Sequence, residues 1–149
     1  MAFDPVHEQM ILFGGTSDSS SASNDTWSWD GTNWTQLFPS TSPPARDAAS
    51  MAFDPNINRL VLFGGEADLQ DTWVWDGTNW AQLFPDNAPY ARMGASMDFD
   101  VAQGQLILFG GTNDDEMIFN DTWGFTALLF TATPSNQIIC NGSATSIAL

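Results

Sequence analysis

The stretch RLVLFGGEADLQDTWVWDGTNWAQLFP, residues 59–85, decides the fold. It holds three short apolar runs, and each run stops at turn residues: Gly64-Gly65, Asp76-Gly77 and Pro85. Short runs that are rich in Val, Leu and Trp and are bounded in this way are typical of β-strands. Asp-Gly between two such runs favours a tight hairpin, because glycine adopts the positive φ that the turn requires. The stretch therefore predicts three strands joined by turns.

The same pattern occurs before and after this stretch. An apolar strand that ends in a glycine pair occurs three times, at Gly14-Gly15, Gly64-Gly65 and Gly110-Gly111. The sequence Asp-Thr-Trp follows each pair, and Met-Ala-Phe-Asp-Pro at residues 1–5 returns at residues 51–55. A repeat of about 40–50 residues with four strand signals is typical of the blades of a β-propeller. We interpret the glycine pairs as structural, because they end strands where the backbone must turn and approach its neighbour closely.

The repeats predict an all-β fold of about three four-stranded blades over residues 1–133, a partial propeller. The repeat boundaries fall at residues 1–45, 46–91 and 92–133. Trp34 and Trp80 open the fourth strand of the first two repeats and are expected to be structural, whereas the third repeat lacks this Trp. The predicted strands are 1–3, 10–13, 26–29 and 34–38 in the first repeat, 48–53, 60–63, 72–75 and 80–84 in the second, and 95–99, 105–109, 122–125 and 126–130 in the third.

The distances between matching residues locate the connection that varies in length. The glycine pairs are 50 and then 46 residues apart, whereas the Asp-Thr-Trp sequences that begin at Asp25, Asp71 and Asp121 are 46 and then 50 apart. The difference therefore lies in the loops between the glycine pair and Asp-Thr-Trp, which have nine, five and nine residues. Loops tolerate change and carry binding groups, so we expect function there.

With a glycine pair after an apolar strand, then paired aromatic residues, then a Trp and a Pro-Arg-type linker, the sequence resembles the kelch repeat over residues 1–125. The kelch Tyr of the third strand is replaced by Trp29, Trp75 and Phe125. The resemblance implies a propeller whose twisted sheets bury both faces against neighbouring blades. It also implies that the loops between second and third strands emerge with the interblade linkers on one face, usually the ligand-binding one.

The candidate ligand-binding residues lie on that face. They are the acids of the three loops and an aromatic residue of the linker at 86–90: Asp18, Glu66, Asp68, Asp114, Asp115, Glu116 and Tyr90. Uncompensated carboxylates repel anions, so we expect a ligand that is cationic, calcium-bridged or polyhydroxylated. Asp114, Asp115 and Glu116 are also candidate calcium ligands, although their spacing is not that of an EF-hand. A solvated acidic surface without a partner is the alternative.

The composition argues against two kinds of partner. The 149-residue chain has a formal charge of −15, with eighteen acidic residues, three Arg and no Lys. A nucleic acid needs clustered basic side chains, and an acidic membrane surface is disfavoured for the same reason, so neither partner is expected. No run approaches the ~20 apolar residues of a membrane span, and no secretory leader is visible. The one cysteine, Cys140, permits no internal disulfide and leaves the redox compartment undetermined.

Known propeller enzymes use residue sets that this chain lacks. The copper site of galactose-oxidase-like kelch proteins uses two His, two Tyr and a Cys, whereas this chain has one of each: His7, Tyr90 and Cys140. Sialidase-type propellers converge three Arg on a carboxylate, but Arg46 and Arg92 occupy equivalent positions in successive repeats, which favours structural pairing with nearby acids. The sequence therefore leans towards a non-catalytic protein, and no cofactor is expected.

Residues 134–149 depart from the repeat pattern. They resemble the opening of the PKD-like, immunoglobulin-type domains of secreted bacterial surface proteins, and the alternative is a tail that packs on the last blade. By this resemblance we expect a secreted or cell-surface protein. Because Met1 aligns with the internal Met51 and Met97, we also expect the chain to begin inside a repeat and to belong to a larger protein.

The sequence favours a module that binds a protein or a polysaccharide. Two alternatives stay open: part of a larger propeller enzyme whose catalytic residues lie outside this chain, and a structural spacer. Three blades are fewer than the four or more of a closed propeller. Exposed blade faces and edges invite pairing, so we also expect self-association that completes a propeller.

Overall fold

A computed structural model shows an all-β fold in which each sequence repeat forms one antiparallel four-stranded sheet. The structure describes residues 1–16, 21–66 and 68–126, together with the backbone of residues 129–132 and 138–139. In this described part of the chain, no helix is long and apolar enough to cross a membrane. The predictions of an all-β class and of three four-stranded blades are confirmed.

The strands of each blade are hydrogen-bonded side by side in chain order. Blade one has β1 (Ala2–Asp4), β2 (Gln9–Phe13), β3 (Thr26–Trp29) and β4 (Trp34–Leu37). Blade two has β5 (Ser50–Asp54), β6 (Arg59–Phe63), β7 (Thr72–Trp75) and β8 (Trp80–Leu83). Blade three has β9 (Ser96–Asp100), β10 (Gln105–Phe109), β12 (Thr122–Thr126) and β13 (Leu129–Ala132). The loop before β12 contains the short strand β11 (Ile118–Phe119), which pairs with β14 (Ile138–Ile139).

The inner strand of blade two begins later than the sequence predicts. The predicted strand 48–53 begins at Ser50. Ala48 has a positive φ of 50°, and its carbonyl oxygen accepts a hydrogen bond of 2.9 Å from Gly94 N in the next linker. Ala48 therefore belongs to the linker, because a left-handed residue cannot continue an extended strand.

The outer strand of blade three also lies later than predicted. The strand expected at residues 126–130 is observed at Leu129–Ala132. Its register places Phe130 opposite Phe125, just as Trp80 lies opposite Trp75 in blade two. By register, Phe130 therefore occupies the position of the missing Trp.

Both faces of blade two are covered, one by blade one and the other by blade three. In β6, Leu60 and Leu62 join a buried cluster with blade one, whereas Val61 joins a second cluster with blade three. Successive side chains of a strand point to opposite faces, so one strand supplies both interfaces. The residues from the neighbouring blades are Ile11 and Phe13 in the first cluster, and Leu106, Leu108 and Phe125 in the second.

Trp80 and Trp34 occupy equivalent positions with different surroundings. Trp80 is 2% exposed, its ring packs edge-on against Phe13 with 5.2 Å between centroids, and its indole nitrogen donates to Thr26 Oγ1 at 3.0 Å. Trp34, expected to have the same structural role, is 43% exposed and contacts Trp29 of its own blade at 5.5 Å. Trp80 thus joins two blades, whereas Trp34 lies on the open face of blade one.

The hydroxyls of Thr26 and Thr72 occupy equivalent positions with different surroundings. Thr72 of β7 is equivalent to Thr26 of β3, whose hydroxyl accepts the indole N–H of Trp80. Thr72 Oγ1 is buried and has no hydrogen-bond partner among the described residues.

The glycine pair of blade two passes close to the linkers on either side of that blade. Gly64 and Gly65 have φ values of +66° and +121°. A Cβ on Gly64 would overlap the carbonyl oxygen of Arg92, and a Cβ on Gly65 would lie 2.7 Å from the carbonyl oxygen of Asp47. The equivalent Gly15 of blade one has a similar φ of +110°, but no described atom lies within 4 Å of its Cβ position.

This difference gives a matched pair of substitutions. Gly15→Ala and Gly65→Ala both force a Cβ into the left-handed region, which costs of order 1–3 kcal/mol. Only Gly65→Ala adds an overlap with a neighbouring backbone. Chemical denaturation should therefore show a larger loss of unfolding free energy for Gly65→Ala, and equal losses would contradict the close approach.

Candidate functional site

The interblade linkers and the loops between second and third strands share one face of the blades. Backbone hydrogen bonds join them: Arg46 N donates to Ser23 O at 3.0 Å, and Gly65 N donates to Arg92 O at 2.9 Å. We call this surface the loop face. It comprises the described parts of the loops at 16–24, 66–70 and 112–120 and of the linkers at 38–49 and 84–95.

A buried arginine ties each linker to the strand that follows the loop. Arg46 donates two hydrogen bonds to the carboxylate of Asp71, at 2.5 and 2.8 Å. Arg92 donates two to Asp121, at 2.5 and 2.9 Å. Each arginine also donates to the carbonyl oxygen of the glycine that follows the second strand of the blade. The distances are 2.9 Å from Arg46 to Gly64 and 3.0 Å from Arg92 to Gly110. The pairing with nearby acids, expected from the equivalent positions of the two arginines, is observed.

The same aspartates accept hydrogen bonds from tryptophan. Trp73 Nε1 donates to Asp71 at 2.6 Å, and Trp123 Nε1 donates to Asp121 at 2.8 Å. Burial by itself raises the pKa of these two carboxyls. The hydrogen bonds from Arg and Trp, together with the charge of the Arg, outweigh burial and hold the pKa of each below its ordinary value.

Asp25 is the equivalent aspartate of blade one. It accepts from Trp27 Nε1 at 2.6 Å and from the hydroxyl of Ser23. Within the described part of the chain, no arginine pairs with it. The Asp–Trp hydrogen bond therefore belongs to all three blades, whereas the Arg–Asp pair is found in blades two and three.

A cleft of about 390 Å³ opens on the loop face between the linker to blade three and the blade-three loop. On one side of the cleft, Tyr90 is 63% exposed, and its backbone carbonyl oxygen accepts a hydrogen bond from Arg92 Nε at 3.1 Å. Phe119 is buried, and its ring centroid lies 4.1 Å from Arg92 Cζ. One guanidinium therefore positions both sides of the cleft. The lining residues are Gln70, Tyr90, Ala91, Asn113, Met117 and Phe119.

Two other clefts are features of the blade itself. They have volumes of about 420 and 210 Å³ and lie at the outer ends of blades two and one. Their linings are equivalent, with Leu83-Phe84-Pro85 in one and Leu37-Phe38-Pro39 in the other. The cleft beside Tyr90 is different, because Tyr90 stands where the preceding linker has Pro44 and faces a nine-residue loop. We therefore take this cleft as the candidate site.

The structure brings some of the predicted site residues together. Tyr90 lines the cleft. Glu66 lies beside Asp47, whose negative charge and hydrogen bond raise the pKa of Glu66, with a smaller contribution from Asp114. Asp47 and Glu66 come from a linker and a loop, and Asp114 of the blade-three loop adds negative charge to them without converging on them; we call these three carboxylates the acidic cluster.

The remaining predicted residues are not gathered into a site. Asp68, Asp115 and Glu116 are exposed, and Asp68 and Glu116 have positive φ values of 53° and 59°. Asp18 lies outside the described residues. In the described ranges, no group of three or more His, Cys, Asp or Glu side chains converges to hold a metal ion. The geometry therefore gives no support to a calcium site at Asp114, Asp115 and Glu116.

Several residues of this region were not singled out by the sequence. Asp47 follows Arg46 in its linker, and its closeness to Glu66 depends on a backbone hydrogen bond between that linker and the blade-two loop. Phe119 and Met117 read as ordinary apolar residues of a loop. The local signal for this site in the sequence was Tyr90, which stands where the preceding linker has Pro44. The residues added by the structure are Asp47, Gln70, Ala91, Asn113, Met117 and Phe119.

Comparisons with known proteins agree with the blade pattern. The family model described as the KLHDC2/KLHL20/DRC7 Kelch-repeats domain matches residues 1–127. A search of curated proteins by sequence found no match. Among solved structures, 65 chains match. One of them, described as "Structure of YjhT", is similar with a TM-score of 0.66 and 14% identity, over 84% of this chain and 42% of that one. The chain thus spans less than half of that structure.

Replacing Asp121 with Asn should lower the unfolding free energy by about 3–5 kcal/mol near neutral pH, because the buried Arg92 loses its counter-charge. Asp25→Asn is the matched control, since it alters an Asp–Trp hydrogen bond where no arginine is paired, and should cost clearly less. Urea denaturation of both variants measures the difference. Equal losses would show that the ion pair contributes no more than the Trp hydrogen bond.

The stability of the unaltered chain should also fall as the pH drops below about 4. The unfolded aspartate takes up a proton in that range, whereas the folded Asp121, with its lowered pKa, stays ionised to lower pH. The Asp121→Asn variant should therefore show a shallower loss of stability with acid. An unchanged acid dependence would contradict the lowered pKa.

Proposed function

Because the chain belongs to the kelch-repeat family of β-propellers, we propose that it is a binding module for a protein or a polysaccharide and that its loop face is the binding surface. The kelch fold serves as an interaction or structural module. The observation that supports a binding role at this face is the cleft beside Tyr90. It is an apolar concavity with a few polar groups at its edge, the usual form of a ligand site.

Tyr90 is the residue on which the proposal depends most. Its backbone is anchored by Arg92 in the same way as Pro44 is anchored by Arg46, at 3.1 Å in both linkers. The anchoring does not require a tyrosine, since Pro44 serves at the equivalent place. The exposed ring is therefore available for contact with a ligand, and Tyr is enriched at binding surfaces because it combines apolar area with a polar tip.

The two alternatives, a structural spacer and part of a larger propeller enzyme, predict different features of the loop face. A structural spacer needs no cleft and no exposed aromatic side chain on the loop face. A larger propeller enzyme would place its reacting groups elsewhere, and the loop face would then hold substrate. A secreted or surface location, expected from the resemblance of residues 134–149, stays a proposal.

We also propose that the chain self-associates through the open faces of blades one and three. Trp34 lies exposed on the first face, where Trp80 is covered in blade two. Phe109 is 51% exposed on the other face, whereas the equivalent Phe13 and Phe63 are buried by the blade that follows them. A second set of three blades would bury Trp34 against Phe109 in the way that Trp80 is buried against Phe13.

The loop face can be tested by binding screens on arrays of polysaccharides and peptides. Tyr90→Ala should remove a binding signal without lowering thermal stability, because the ring is exposed. Joint neutralisation of Asp114, Asp115 and Glu116 to Asn, Asn and Gln should weaken it. Glu8→Gln, in the exposed turn between β1 and β2, is the control and should bind normally. If changes at the Asp-Gly-Thr-Asn turns at 30–33 and 76–79 alone alter binding, the opposite face is the binding surface.

Self-association can be tested by sedimentation. Trp34→Ser should shift the chain from a dimer or larger species towards monomer, with a dissociation constant raised by about tenfold or more, as expected for loss of a buried aromatic anchor. Phe38→Ser is the matched control, since Phe38 is exposed at a position where Phe84 of blade two is exposed as well. An unaltered chain that sediments as a monodisperse monomer and unfolds cooperatively would contradict the proposal.

A further inference from the structure

We infer that the ligand of the loop face is a peptide segment in which an apolar residue lies next to Lys or Arg. The apolar side chain occupies the cleft beside Tyr90, and the basic side chain pairs with Glu66 and Asp114 of the acidic cluster. This inference rests on the proposed function and narrows it to one ligand chemistry.

The basic groups of the described residues are already engaged elsewhere. Arg46 and Arg92 are buried and paired with aspartates inside the blades. Arg59, at the start of β6, donates to the carbonyl oxygen of Asn58 in the turn on the opposite face. The chain has no Lys, and His7 bonds to Asp4 in another turn of that opposite face. Within the described ranges, Asp47, Glu66 and Asp114 therefore form no salt bridge with an Arg or His side chain.

Two carboxylates of the acidic cluster, those of Asp47 and Glu66, belong to backbone segments that are hydrogen-bonded to each other. Glu66 N donates to the carbonyl oxygen of Asp47 at 3.1 Å, which holds the start of the blade-two loop against the linker. The charges of Asp47 and Asp114 both disfavour ionisation of Glu66, which raises its pKa. Bringing a cation to this place relieves the repulsion, whereas an anion adds to it. Charge complementarity of this kind selects basic partners.

The cleft itself suits a single apolar side chain. Phe119 and Met117 supply apolar surface, and the unbranched Met side chain adapts to the shape of what it contacts. The polar groups at the edge are the amides of Gln70 and Asn113. Asn113 Oδ1 accepts a hydrogen bond from Met117 N at 2.9 Å. The N–H₂ group of Asn113 can therefore donate to a backbone carbonyl of the ligand.

A polysaccharide fits these features less well. A neutral sugar would stack on Tyr90 but would leave the acidic cluster uncompensated, and an acidic sugar would be repelled by it. A peptide with adjacent apolar and basic residues meets both the cleft and the cluster. The protein arm of the proposed function is therefore the one that the observations favour.

Three blocked peptides of equal length test the inference, titrated into the full chain at low salt by fluorescence anisotropy. In the first, Lys residues flank one Leu; in the second, Glu residues flank the Leu; in the third, Lys residues flank a Ser. We expect the Lys–Leu peptide to bind at least about tenfold more tightly than either of the others. Met117→Ser should abolish the preference for Leu over Ser.

The acidic cluster is tested by a double variant. Glu66→Gln combined with Asp114→Asn should weaken the Lys–Leu peptide by about tenfold and flatten its dependence on salt concentration. Glu8→Gln is the matched control, because it removes one exposed carboxylate from the opposite face. Circular dichroism of each variant shows that the fold is kept.

The possible outcomes separate the inference from the proposed function. Equal binding of the Lys–Ser peptide would show attraction by net charge alone and would overturn the inference. Tighter binding of the Glu–Leu peptide, or of a neutral oligosaccharide that Tyr90→Ala displaces, would overturn it while leaving the loop face as the binding surface. Lys–Leu binding that survives every loop-face variant would overturn both. Failure of all three peptides to bind would overturn the inference.

Discussion

The buried guanidinium of Arg92 is the contact on which the arrangement of the loop face depends. It binds the carboxylate of Asp121, the carbonyl oxygen of Gly110 and the carbonyl oxygen of Tyr90, and Phe119 stacks on it. A planar group with five donors can satisfy a carboxylate and two carbonyls at once, which a lysine ammonium cannot do in this geometry. A buried ion pair adds little net stability compared with well-packed apolar residues. Its effect here is positional, because it joins linker, strand end and loop.

A second constraint is the two-residue period of the strands. Because alternate side chains point to opposite faces, each blade must be apolar on both faces wherever a neighbour covers it. Blade two satisfies this on both sides, and Trp80 reaches across to blade one for its hydrogen bond. In blade one the equivalent of Trp80 is Trp34, and in blade three the equivalent of Phe13 is Phe109; both lie exposed on open faces. Each repeat therefore carries similar apolar interface residues, whether or not another described blade covers them.

The sequence predicted those features that depend on local pattern. The strands and the turn at Asp76-Gly77 follow from spacing and turn chemistry, and the shared face of loops and linkers follows from the resemblance to the kelch repeat. The exposure of Trp34 could not be read from its motif, because burial depends on the neighbouring blade. Ala48 was predicted as strand because its left-handed φ follows from a hydrogen bond with Gly94, 46 residues further on. The cleft and the acidic cluster combine segments from separate repeats, so neither could be predicted from any single stretch of the sequence.

Packing between neighbouring blades alone gives the molecule a graded local stability. In a repeat protein, the local stability of a unit depends on the contacts that it makes with its neighbours. Among the described blades, blade two packs against another described blade on each of its two faces. The cleft contains Gln70 from blade two and Phe119 from blade three. Whatever occupies the cleft therefore contacts two blades and couples the local opening of one to that of the other.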